Sequence, residues 1–232
     1  IKVPKAEPRL QKRYQKLVEQ HLSPIHSVAA GLRSLRRTNK PFAATQAAWR
    51  FFANERVTLP LLAEPIITNA RELSVAHSAH YALVMHDFSD LKFTTHENKK
   101  DRIRLCNNLE FGYFLQAGLL VSDIDGSPLA PLYIGLEATD GVHSLRREKP
   151  LPHRRQLDEL NRTFGYIENL ELPKPRVHIF DRQADWLLHL RRFERCGRKI
   201  VIRSNDVRRV RHQGTSKLLK EVEESLQNEL KY

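Results

Sequence analysis

The chain has 232 residues, 41% of them hydrophobic, with 39 Lys+Arg against 27 Asp+Glu and a formal net charge of +12. A core of ordinary size is feasible, and the cation surplus favours a polyanionic partner: DNA, RNA or acidic lipid. No apolar run approaches the ~20 residues of a spanning helix, the first residues do not read as a signal peptide, and Cys106 and Cys196 lack zinc or disulfide spacing.

The first eighty residues read as helices. Leu10, Tyr14, Leu17 and Val18 recur at helical spacing. Ser23-Pro24 has the form of an N-cap followed by proline at the first helical position, opening a helix to about Arg36. Thr45 to Asn54 is a short helix with Trp49, Phe51 and Phe52 as anchors, and Thr58-Leu59-Pro60 starts another that is interrupted or kinked at Pro65. From Tyr81 the period changes. Tyr81 to His86 is a short apolar strand, Phe114 to Ser122 a second, and Leu129 to Ala138 a third. The intervening Asp125-Gly126-Ser127-Pro128 is turn chemistry, so the latter two form an antiparallel hairpin. A helix over 153–170, a strand over 177–180, a helix over 184–196 closed by Gly197, and a strand over 199–203 follow. A polar stretch then leads to an amphipathic segment from Ser216 to Tyr232.

This α/β order is that of an RNase H-like mixed sheet with flanking helices. It places Asp87 at the end of the first strand and Asp181 at the end of the fourth, strands that lie side by side in such a sheet. Carboxylates brought that close repel unless a cation lies between them, and Mg2+ (Mn2+ may substitute) suits two hard oxygen donors in phosphoryl chemistry.

Ile179-Phe180-Asp181-Arg182-Gln183-Ala184-Asp185 resembles the Asp-Arg-Glu-Ala-Asp signature of bacterial insertion-sequence transposases of the DDE class, those related to the transposon-five enzyme. Lys199 to Ser204 is similar to that family's Val-Val-Arg-Ser strand. Met85 to Asp90 resembles the segment bearing its first catalytic Asp, and Ala47 to Val57 its helical N-terminal entry. The resemblance runs from about Leu10 to Ser204, with Gln183 standing where the family has Glu. It implies Asp87 and Asp181 as catalytic metal ligands, and Arg182 and Arg203 near the DNA backbone. It also implies a cut-and-paste enzyme that dimerises on double-stranded DNA at transposon ends and works on the bacterial nucleoid in the cytoplasm.

The organisation it implies is a helical DNA-end-binding region over 1–78, an incomplete catalytic core over 79–206, and the start of an insertion or a truncated tail over 207–232. The family's third carboxylate sits in a Tyr-x2-Arg-x3-Glu-x6-Lys motif with no counterpart after Ser204. The chain alone is therefore expected to lack cleavage activity, and a non-catalytic DNA-binding or inhibitory remnant is the alternative. Glu221, Glu223, Glu224 and Glu229 read as a solvated helix face.

Candidate DNA contacts are Arg9, Lys12, Arg13, Lys16, Arg33, Arg36, Arg37 and Lys40, whose excess over acidic neighbours suits phosphate neutralisation. Arg208-Arg209-Val210-Arg211 is a further basic patch. Asp123-Ile124-Asp125-Gly126 after an apolar strand has the form of a phosphatase nucleophile loop. The turn residues and the strand that follows read instead as a hairpin.

Overall fold

A computed structural model describes residues 2–21, 41–105, 109–153, 156–182, 185, 187–205 and 207–229. Among these, six helices flank a mixed eight-stranded sheet and a separate two-stranded one. Helix α1 spans Pro8–His21, α2 Pro41–Phe52 and α3 Leu59–His77. Thr58 caps α3, its hydroxyl accepting from Leu61 N at 3.4 Å. The helix passes through Pro65 without ending, because its apolar face (Ala63, Ile67, Ala70) is pinned in the core of the sheet. In α2, Ala48 and Phe51 are buried. Trp49 and Phe52 are 68% and 56% exposed, so two of the three expected anchors are not anchors. The helix expected from Ser23 lies outside the described residues.

The sheet is built on two 11-residue strands, β1 (Ala82–Lys92) and β3 (Phe111–Val121), paired antiparallel from Leu83↔Val121 to Lys92↔Gly112. The short β2 (Ile103–Arg104) adds to β3. β4 (Pro128–Ala138) forms the expected antiparallel pair with β3, and β5 (Gly141–Ser144) and β6 (Arg147–Leu151) extend that side as a meander. Helix α4 (Gln156–Glu168) leads back to β7 (Arg176–Phe180), parallel to β1, and α5 (Leu187–Arg195) leads to β8 (Ile200–Ile202), parallel to β7. Gly197 adopts a φ of 62° just past α5, a conformation that costs glycine nothing. The strand order is β6-β5-β4-β3-β1-β7-β8. Then β9 (Arg209–His212) and β10 (Thr215–Leu218) form a hairpin about Gln213-Gly214, and α6 (Leu219–Glu229) follows.

One face of the sheet carries the core. Ala82, Val84, Leu120, Leu132 and Tyr133 pack with α3 and with Ile167 of α4. Nearer β8, Leu160, Phe164, Phe180 and Phe193 form a second cluster, in which the Phe180 and Phe193 rings stack at 5.8 Å. Phe164 and Phe193 are fully buried, each contributing roughly 1.5–3 kcal/mol by leaving water. These two clusters fix β1, β7 and β8 side by side, which positions everything described next.

Candidate functional site

The last paired position of β1 and β7 sets Met85 opposite Ile179. Carried on by two residues, that register brings Asp87 beside Asp181, the residue directly after β7. Neighbouring strands lie about 4.8 Å apart and side chains alternate between faces. Asp87 therefore belongs to the face of Met85, opposite buried Val84 and His86, and Asp181 follows β7 at the same end of the strand pair. That face is open to solvent: Met85 is 47% exposed and Val201 on β8 is 55% exposed. Asp87 and Asp181 are exposed as well.

Asp87 does not close its strand. Pairing with β3 continues through Phe88↔Gln116 to Lys92↔Gly112, so the carboxylate projects from mid-strand rather than from a loop. A strand position is the more rigid mount. Ser89, next on the same face, donates from Oγ to Asp87 Oδ2 at 2.6 Å and steadies it further.

Under this edge lies a chain of buried groups that no spacing in the sequence announces. Nε2 of His178 faces Glu168 Oε1 at 3.1 Å, so the carboxylate fixes the proton on that nitrogen. His178 Nδ1 is then an acceptor, and His86 Nε2 donates to it at 2.8 Å. His86 Nδ1 is left buried without a partner. Burial, and then the neighbouring His178, hold the His86 pKa well below its ordinary value. Burial also lowers that of His178, with Glu168 opposing. For Glu168, burial works toward a higher pKa, but hydrogen bonds from Arg176 and His178 prevail and lower it. Both imidazoles are thus neutral, and they tie β1, β7 and α4 together one residue from Asp87.

The block around Asp181 divides into an exposed part and a buried part. Asp185 has a side chain only 4% exposed; its Oδ1 pairs with Arg208 Nη2 at 2.7 Å. Its Oδ2 accepts from Asn205 N at 2.8 Å and Ser204 Oγ at 3.2 Å. Asp185 therefore clamps the segment after β8 against the end of β7. Arg182, Arg208 and Arg209 line a polar cleft on this clamp, beside Asp181. Arg203 is exposed, and its backbone N–H donates to Phe180 O at 3.0 Å. The Arg208-Arg209 patch was legible as charge; its union with Asp185 was not.

On α1, Arg9, Lys12 and Lys16 are exposed, and their i, i+3, i+7 spacing puts them along one side. Arg13 is half-buried. Arg33, Arg36, Arg37 and Lys40 lie outside the described residues. Asp123 sits in a β-turn whose carboxylate accepts from Ala79, His80 and Tyr81 N at 2.7, 2.8 and 2.8 Å. Those backbone donors, His80 and Tyr81 first, lower its pKa. The next element is strand β4, not a helix, so this carboxylate anchors the entry to β1 rather than serving as a nucleophile. Among the described residues, no group of three or more His, Cys, Asp or Glu is arranged to hold a metal ion, and no helix is long and apolar enough to cross a membrane. Comparison of the chain with known protein families and with curated proteins finds no match.

Proposed function

We propose that this chain carries the end-binding region and part of the catalytic core of a DDE-class DNA transposase, with Asp87 and Asp181 as two of its metal ligands. The observation that carries this reading is the parallel β1–β7 register, whose extension by two residues from Met85 and Ile179 would put Asp87 beside Asp181. The strand path supports it. In β4-β3-β1-β7-β8, β3 runs antiparallel to both neighbours while β7 and β8 run parallel to β1, the arrangement expected of an RNase H-like core.

Two exposed carboxylates at the end of neighbouring strands would fit a hard divalent cation better than they fit each other. Magnesium, or manganese in its stead, would supply Lewis acidity for phosphodiester cleavage and strand transfer. The chain's own residues would do the rest. Ser89 steadies Asp87; Arg182, Arg208 and Arg209 stand where a DNA phosphate would approach Asp181; Arg9, Lys12 and Lys16 neutralise phosphates further along a transposon end. In this reading the protein works as a dimer on double-stranded DNA at the bacterial nucleoid.

A second reading is a DNA-binding protein that does not cut. It is favoured by the missing third ligand, since no further acidic group joins the pair among the described residues. Titration with Mg2+ and Mn2+, with and without duplex DNA, separates the two. The transposase reading predicts divalent-ion binding that Asp87→Asn and Asp181→Asn each abolish without loss of DNA binding. DNA binding with no divalent-ion site supports the second reading, and ion binding that survives Asp181→Asn defeats the assignment of Asp181.

A further inference from the structure

Beyond β8 the chain builds a second, smaller sheet. Strands β9 and β10 pair antiparallel from Leu218↔Arg209 to Thr215↔His212 and stand apart from the eight-stranded sheet. The stretch from Arg209 to Leu218 contains Arg209, Arg211 and Lys217 and no Asp or Glu. A lone hairpin of this length is marginally stable, and here its base is tied to the core. Arg208 Nη2 pairs with Asp185 Oδ1 at 2.7 Å, Leu219 N donates to Arg208 O at 2.8 Å, and Leu218 N donates to Glu221 Oε2 at 2.7 Å. At the other end Gln213 and Gly214 are exposed and turn with φ of 48° and 78°, a left-handed pair that matches the twist of the strands.

The two faces of the hairpin differ. The register sets Arg211 opposite Ser216 and Arg209 opposite Leu218, so these four share one face. Arg209, Arg211 and Ser216 are exposed there. On the other face Val210, His212 and Lys217 are half-buried, and α6 packs against both strands with Val222 buried. One face is therefore used by the protein, and the face carrying two guanidinium groups is open. Arg209 also lines the cleft with Arg182. Arg211 lies two residues closer to the tip, a distance of about 6.8 Å, which equals about two base-pair steps of a duplex.

A two-stranded ribbon fits the major groove of B-DNA, about 12 Å wide, and not the minor groove of about 6 Å. The major groove of duplex RNA is too narrow and deep for side chains to read. We propose that the β9–β10 hairpin enters the major groove of duplex DNA, where Arg211 reads a guanine. The guanidinium fork donates to guanine O6 and N7, and the Ser216 hydroxyl beside it contacts a neighbouring base. Arg209, at the root, takes a phosphate at the edge of the groove and sets the register. This inference rests on the reading of DNA as the partner, and it requires neither the carboxylate pair nor a metal ion.

The test is selection of bound duplexes from a randomised DNA pool by the full chain and by Arg211→Lys, followed by titration of the selected duplex. Lysine keeps the charge and loses the fork, so a phosphate contact alone would leave the selected sequence unchanged. We expect a fixed guanine in the wild-type pool that Arg211→Lys does not select, and about tenfold weaker binding of the selected duplex by the variant. Replacing that guanine by 7-deazaguanine, which lacks the N7 acceptor, should weaken wild-type binding about tenfold and make no further difference to Arg211→Lys. A wild-type pool without a fixed guanine, the same guanine selected by both proteins, indifference to 7-deazaguanine, or equal binding of the same sequence as duplex RNA would each overturn the ribbon alone. A chain that binds no duplex would overturn it together with the DNA reading. Divalent-ion binding at Asp87 and Asp181 is measured separately and is untouched by either result.

Discussion

His86 and His178, distant in sequence, share one hydrogen bond of 2.8 Å between their rings in the core of the sheet, with Glu168 fixing its direction. Protonating His178 sets two donors face to face, and protonating His86 buries a charge whose Nδ1 proton has no acceptor. Both pKa values are lowered in the folded protein, so the unfolded chain takes up protons first as pH falls. The stabilisation is complete above the unfolded value of about 6.5 and is lost progressively below it. Urea unfolding should show stability falling between pH 7.5 and 5 by up to about 1.4 kcal/mol per pH unit for each group. Replacing both histidines by leucine should flatten that slope; a slope unchanged in the double variant would contradict the account.

Asp181 and Asp185 share a motif but not a task. Asp185→Ala strands Arg208 and frees the segment after β8, and should cost roughly 1–3 kcal/mol as the loss of charge-assisted hydrogen bonds from a half-buried pair. Asp181→Asn changes a side chain on the exposed surface and should cost less than Asp185→Ala. Chemical denaturation of the two variants checks the contrast.

Asp123→Asn tests the turn assignment. Losing a charged acceptor for three backbone N–H groups should lower Tm, and the loss should shrink as pH falls, because the lowered pKa lends stability that is present above the ordinary carboxylate range and fades below it. Binding of a divalent cation should be unaffected. Hydrolysis of a phosphomonoester by the wild type but not by this variant would restore the nucleophile reading.

How much of this was legible follows burial. Strands with continuous apolar runs, such as those around Val84 and Val177, announced themselves, as did α4 through Leu160 and Phe164. The second half of β1 did not, because Asp87, Ser89 and Leu91 alternate onto an open face where nothing demands apolar residues. Arg147–Leu151 is an edge strand with almost no buried residue, and its polar Arg-Glu-Lys start carries no strand signal. The β9–β10 hairpin turns on Gln213-Gly214, with φ of 48° and 78° where Asn-Gly is the usual cue. The proposed pairing of Asp87 with Asp181 could be reached only through strand order, whereas the Glu168–His178–His86 chain depends on three elements meeting and has no one-dimensional signature.

DNA binding by α1 should be electrostatic. Arg9→Ala, Lys12→Ala and Lys16→Ala should each weaken binding of unrelated duplexes alike, reducing the slope of log K against log salt by about 0.9 per lost phosphate contact. A filter-binding series over salt concentration measures this; a loss confined to one sequence would make these residues base readers instead.

The central claim is that Asp87 and Asp181 hold one divalent ion between them. Ferrous iron in place of magnesium, with ascorbate and peroxide, cuts a polypeptide near the groups that bind it, and mass spectrometry locates the breaks. The account predicts breaks near both Asp87 and Asp181, suppressed by excess Mg2+ and lost together in Asp181→Asn. Breaks scattered along the chain, or breaks near Asp87 that persist in Asp181→Asn, would contradict it.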